Sequence, residues 1–109
     1  MEGLWTVKFT SSMGGGSGSG VAVFVGKKVL GGDLAYVYLG DVRIEDSMAY
    51  VKLHIEHFAG PSTAIFGNLK EFDLEVSGKV GDSEITFTGH LVQNPSMKIK
   101  IVARKRASL

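Results

Sequence analysis

Apolar and polar residues alternate with a period of two along almost the whole chain, and a period near 3.6 hardly occurs, which is the pattern of half-buried strands. In "LWTVKFT", Trp5, Val7 and Phe9 fall on one face and Thr6, Lys8 and Thr10 on the other. "GVAVFVG" groups Val21, Val23 and Val25, while "AYVYLGDV" is apolar on both faces. "MAYVKLHIEH" sets Ala49, Val51, Leu53 and Ile55 against Tyr50, Lys52, His54 and Glu56. The second half repeats the pattern: Phe72, Leu74 and Val76; then Ile85, Phe87 and Leu91; then Met97, Ile99 and Ile101. The spacing predicts eight strands, over about 4–10, 20–26, 28–31, 34–42, 48–57, 71–79, 84–92 and 97–104.

Short connections join them. Gly26-Lys27-Lys28, Gly81-Asp82-Ser83 and Asn94-Pro95-Ser96 read as hairpin turns, since glycine and asparagine accept positive φ and proline fixes its own. A meander with one dry face must hide that face, by closing on itself or by packing on a second sheet, and eight strands suffice for closure. The expectation is therefore an all-β, eight-stranded antiparallel up-and-down barrel, filling residues 1–109 as one domain. Trp5, Val7, Phe9, Val23, Val51, Leu53, Phe72, Leu74, Phe87 and Ile99 are the expected interior residues. Tyr36 and Tyr38 would supply hydroxyls at its mouth. Such a barrel either fills itself with side chains or holds one small ligand.

Two segments break the rhythm. Ser11 to Gly20, "SSMGGGSGSG", has the composition of a mobile linker. Phe58 to Glu71 has room for a helical turn from about Ser62, after Pro61 and before Gly67-Asn68.

Composition narrows the function classes. A chain of 109 residues buries roughly 65% of its unfolded surface, enough for one core. The longest uncharged apolar runs, Val21 to Val25 and Leu34 to Leu39, fall far short of the ~20 residues of a membrane helix. Twelve Lys and Arg against eleven Asp and Glu leave a net charge of +1, so no electrostatic case arises for direct nucleic-acid binding. Arg104-Lys105-Arg106 reads as a short solvated tail. The absence of cysteine excludes disulfides, thiolate metal sites and thiol nucleophiles and favours a reducing compartment. The alternating N-terminus does not read as a signal peptide, so the expected location is cytoplasmic.

Motifs for chemistry are missing at the required spacing. The glycines of Gly14 to Gly20 match neither a dinucleotide fingerprint nor a phosphate loop, and they lead into a strand instead of a helix. His54 and His57, three apart on a strand, point to opposite faces, and His54 with Glu56 makes only two ligands of one face, so no metal is expected. "GPSTA" lacks the final glycine of a nucleophile elbow. Glu45-Asp46 sits in a turn, where solvated carboxylates suit a surface contact better than acid/base work. Gly31-Gly32-Asp33 reads as a structural corner or bulge, with the Asp33 carboxylate accepting amide hydrogens from Ala35 or its neighbours. The chain reads as non-enzymatic, with no catalytic residue and no cofactor.

"GGDLAYVYLGDVRIED", followed by "AYVKLHIEHF", "STAIFG" and "FDLEVSG", resembles the GrlR-like family, small bacterial proteins that include negative regulators of type III secretion. "GLWTVKF" and "EITFTGHL" fit the same pattern. The resemblance implies an eight-stranded lipocalin-like barrel that forms a homodimer and works by protein binding, sequestering a transcriptional activator. An acidic run before the fifth strand carries that contact in the family, and Glu45 and Asp46 stand in the matching place. The alternative expectation is a barrel that binds a small apolar molecule or lipid in its interior.

Overall fold

The computed structural model describes residues 1–12, 16–61 and 69–109. Among these, eight strands carry the fold: β1 (Gly3–Ser11), β2 (Ser17–Val25), β3 (Lys28–Gly32), β4 (Tyr36–Glu45), β5 (Met48–His57), β6 (Glu71–Lys79), β7 (Glu84–Leu91) and β8 (Asn94–Ala107). Each pairs antiparallel with the next, and β8 returns to pair with β1, so the sheet is a closed up-and-down barrel. Closure removes the exposed edges that an open meander would present. The described residues include no helix long and apolar enough to cross a membrane.

All the strand boundaries agree with the periodicity to within three residues, and the largest departures carry physical reasons. Asp46 and Ser47 both adopt positive φ, 50° and 68°, and this lets β4 and β5 run together as far as Glu45 and Met48 in a two-residue primed turn. Asn94-Pro95-Ser96 is not the turn it was expected to be. Leu91 pairs with Asn94 across a register shift at His90/Leu91, and the turn is Val92-Gln93. Gln93 holds it there, accepting from the Asp73 amide at 3.2 Å and donating to the Asp73 carboxylate at 3.0 Å. Arg104-Lys105-Arg106 is likewise no tail: β8 carries it through to Ala107, with Arg104 on Glu84 at 3.3 Å and Arg106 donating to Thr6 Oγ1 at 2.9 Å. The helical turn expected from Ser62 lies outside the described residues.

The N-terminal linker reading fails over its second half, because Ser17 to Gly20 belong to β2. Residues directly opposite in an antiparallel pair share a face. Phe9 faces Gly18, Val7 faces Gly20 and Trp5 faces Ala22. Small residues of β2 thus lie across from large ones of β1 on the inner face. The expected inward placement of Val23 is overturned by the same register: Ala22 and Phe24 are buried, Val23 is half-buried on the outer face, and Val21 and Val25 are exposed.

Inward residues form one core, from Trp5, Ala22, Phe24 and Val29 round to Phe87, Ile101 and Ala103, with no buried polar residue among those described. The lower end, where β1 starts, is plugged by Trp5, fully buried, with Ile85, Ala49 and Ala103 around it. The Trp5 indole N–H donates to the Met1 carbonyl at 2.9 Å, and its ring meets Phe24 edge-on at 5.8 Å.

Candidate functional site

Above that plug the barrel is not filled. A cavity of about 270 Å³ lies between the layer of Phe24 and Phe87 and the opposite end, where β1 finishes and β2 begins. Of the ten residues expected inside, Val7, Phe9, Val51 and Leu53 line it from β1 and β5. Phe72, Leu74, Phe87 and Ile99 line it from β6, β7 and β8. Trp5 is inside but lies below the cavity as its floor, and Val23 does not reach it. Tyr36 and Tyr38 stand on its wall as expected. Alternation found the positions on β1 and β5 to β8 because each of those strands has one charged or hydroxylated face. Ala22, Phe24 and the Ser17-Gly18-Ser19 stretch were missed, and the readable signal was glycine opposite aromatic across the first hairpin.

The glycines of β2 shape the mouth by leaving space. A Cβ on Gly18 would come within 2.5 Å of the Phe9 ring, and one on Gly20 within 2.5 Å of the Tyr38 hydroxyl and 2.7 Å of the Gly32 carbonyl. Those rings fold over where side chains would otherwise stand, and they meet edge-to-face at 6.5 Å and 83°. Leu34, almost fully exposed, reaches the same rim from the β3–β4 turn.

That turn is built by Asp33. Its Oδ1 accepts the amides of Ala35 at 2.9 Å and Tyr36 at 2.8 Å, and its Oδ2 accepts the Tyr38 hydroxyl at 2.6 Å. The corner expected at Gly31-Gly32-Asp33 is thus an Asx-type turn, with Asp33 as its cap. The two glycines serve it differently from expectation. Neither has positive φ; both lie in β3, and a Cβ on Gly31 would strike the Val21 carbonyl of the neighbouring strand. Close approach of strands, not an unusual conformation, requires glycine there. Burial, then the hydrogen bond to Asp33 and its charge, raises the Tyr38 pKa far above the ordinary phenol value, so Tyr38 stays a donor. Tyr36 is also tied, donating to the Leu69 carbonyl at 2.7 Å.

The other polar cluster lies outside the barrel. Cross-strand pairing puts His54 beside Asp73, and Glu56 beside Glu71. His54 Nδ1 stands 2.7 Å from Asp73, and Nε2 stands 3.1 Å from Glu56 and 2.9 Å from Glu71. The His54 pKa is raised, chiefly by the Asp73 hydrogen bond, against some desolvation, with Glu56 and the charges of Asp73 and Glu71 adding to it. Asp73 is lowered, mainly by His54, also against desolvation, and next by Gln93. The potential metal-ligand atoms of His54, Glu56 and Glu71 lie within 4.8 Å of one another, a grouping that pairwise reading of "HIEH" missed because β6 supplies Glu71. The arrangement is that of an imidazole ringed by carboxylates, which favours its protonated form. His57 faces the other way, as strand parity requires, with its ring 5.5 Å from Tyr36.

Glu45 and Asp46 stand where expected, in the β4–β5 turn at the lower end. Glu45 is paired with Arg43 at 2.7 Å, and Arg43 also lies over the Tyr50 ring at 4.8 Å. They share no site with the cavity.

Fold and interior together define a closed eight-stranded antiparallel barrel with an apolar chamber that, among the described residues, opens toward one end. The chain matches no family model and no curated protein at a significant level.

Proposed function

We propose that this barrel is a non-enzymatic binding protein that takes a small apolar molecule into its interior. The supporting observation is the chamber of about 270 Å³ walled by Val51, Leu74, Phe87 and their neighbours, in a core that is otherwise close-packed. Empty apolar cavities of about 150 Å³ stay dry and take up benzene, so this one has room for roughly ten heavy atoms. Each methylene moved from water into it contributes about 0.8 kcal/mol, so about ten of them supply roughly 8 kcal/mol, and the entropic cost of binding makes micromolar affinity the upper limit. Native mass spectrometry of gently purified protein tests the reading. A retained molecule adds its mass to the chain, and substitution of Leu74 by Trp, which fills the chamber, removes it; a bare mass before and after exposure to small hydrocarbons would refute it.

A second reading, regulation by contact with a partner protein as the GrlR resemblance implies, is favoured by a different observation. Leu4, Val23, Leu30 and Leu39 follow one another across β1 to β4 in a single outward row. Three of them, Leu4, Leu30 and Leu39, are exposed, and Val21 and Val25 flank the row. An apolar strip of this kind suits a partner's apolar face, a second copy of the chain being the simplest case, better than the ion-paired Glu45 turn does. Light scattering on the protein and on Leu30→Lys tests it: an assembly that Leu30→Lys dissociates supports the strip, and an assembly indifferent to it, but lost in Glu45→Ala/Asp46→Ala, moves the contact to the turn.

A further inference from the structure

We infer that the ligand carries a hydrogen-bond donor at one end, a primary amine or alcohol, that Asp33 receives it, and that carboxylates of the same length are rejected. The inference rests on the ligand-binding reading above and sharpens it. Among the described residues lining the chamber, Asp33 is the single charged one, and no lysine, arginine or histidine joins it. A carboxylate offers about four lone-pair positions. Three are taken, by the amides of Ala35 and Tyr36 on Oδ1 and by the Tyr38 hydroxyl on Oδ2. One acceptor position on Oδ2 remains, on a group already fixed by three bonds, so an incoming donor finds it pre-organised.

The same geometry acts against anions. The Tyr38 proton is committed to Asp33 and is not offered to a ligand. The remaining polar side chains among the described lining residues are Tyr36, whose hydroxyl donates to the Leu69 carbonyl at 2.7 Å, and the neutral hydroxyls of Ser17 and Ser19. A carboxylate head seated there would meet a like charge with no cation to offset it. Burying the tail fixes where the head falls, because the floor at Trp5 is closed and the mouth beside Asp33 is the open end.

Isothermal titration with octan-1-amine, octan-1-ol, octanoate and toluene at neutral pH tests this, toluene having no head group. The wild-type protein is expected to bind the amine and the alcohol, with the amine on the order of 10- to 100-fold tighter than octanoate. Asp33→Asn keeps an oxygen for the Ala35 and Tyr36 amides but removes the charge. It is expected to cost the amine about tenfold, to gain for octanoate, and to leave toluene unchanged. Tyr38→Phe, which leaves the carboxylate in place and frees a second position on it, should retain the preference for the amine and serves if Asp33→Asn fails to fold. Octanoate binding as tightly as the amine, or selectivity that survives Asp33→Asn intact, would overturn the inference while toluene binding left the cavity reading standing. Failure of all four, toluene included, would overturn both.

Discussion

The two ends of the barrel are made from the same alternating strands, yet one is sealed and the other open. At the floor, β1 contributes Trp5, in one core with Ile85, Ala49 and Ala103, all at or near zero exposure. At the mouth, β1 contributes Phe9, half-exposed, and its partner strand contributes Gly18 and Gly20. A large ring among small residues packs a floor when the surrounding strands converge on it. The same ring opposite glycine only leans aside, and the space beyond it stays vacant. Stability therefore resides at the floor and, on the proposed reading, binding at the mouth, a division expected where functional surface is not also asked to fill the core.

Substitutions that confuse the two ends should show the difference directly. Trp5→Ala is expected to have the largest effect, a loss of about 3–5 kcal/mol in urea unfolding, because it opens a cavity in the tightest layer and orphans the Met1 carbonyl bond. Since small domains are stable by only about 5–15 kcal/mol, the variant should be close to unfolded at 37 °C. Gly20→Val comes next. The added atoms meet the Tyr38 hydroxyl and the Gly32 carbonyl, and a cost of about 1–3 kcal/mol together with loss of toluene binding is expected in calorimetry. Phe9→Ala, at the half-exposed mouth, should cost only about 1 kcal/mol in the same unfolding assay, well below Trp5→Ala, and should leave the chamber able to bind. If Phe9→Ala were as damaging as Trp5→Ala, the mouth would be part of the structural core and the division would fail.

The smallest expected effect lies on the outer wall, away from both ends. His54 is raised from its ordinary value of 6.5, so what it contributes is fully present below pH 6.5 and disappears as pH rises through its folded-state pKa. Asp73 is lowered from 3.8, so its contribution is present above pH 3.8 and disappears as pH falls through its folded-state pKa. The pair thus stabilises most between about pH 4 and 6.5. The two side chains are 34% and 44% exposed, open enough for solvent to screen the pair, so His54→Gln should lower stability by no more than about 1 kcal/mol in that window, and by nothing measurable near pH 9. Thermal melts across pH for both proteins check it; an equal loss at pH 9 would show that His54 acts through packing instead.

How far the sequence could be read follows from the strands themselves. Where one face is charged, as in Phe72-Asp73-Leu74-Glu75-Val76, alternation alone assigns every side chain, and β5 to β8 emerged with their inner faces correct. β2 has no charged residue at all, so "GVAVFVG" reads equally well either way up, and the preference for valine as a core residue placed Val23 inside. Only its pairing with β1, glycine across from phenylalanine, decides the matter, and that is a property of two strands together. The same holds for Gln93, whose clasp on Asp73 moves a turn away from the more obvious Asn94-Pro95. Asp33 was legible as a turn cap from its own neighbours, but its place on the wall of a chamber was not, because that depends on Tyr38 reaching back over Gly20.

Crystals of the protein held under xenon pressure give the most direct test of the vacant interior. Xenon density enclosed by Val51, Leu74 and Phe87, above the Trp5 floor and with no shift of the surrounding strands, is the predicted result. Density confined to the outer row of Leu30 and Leu39, with the inner side chains closing the chamber, would contradict it.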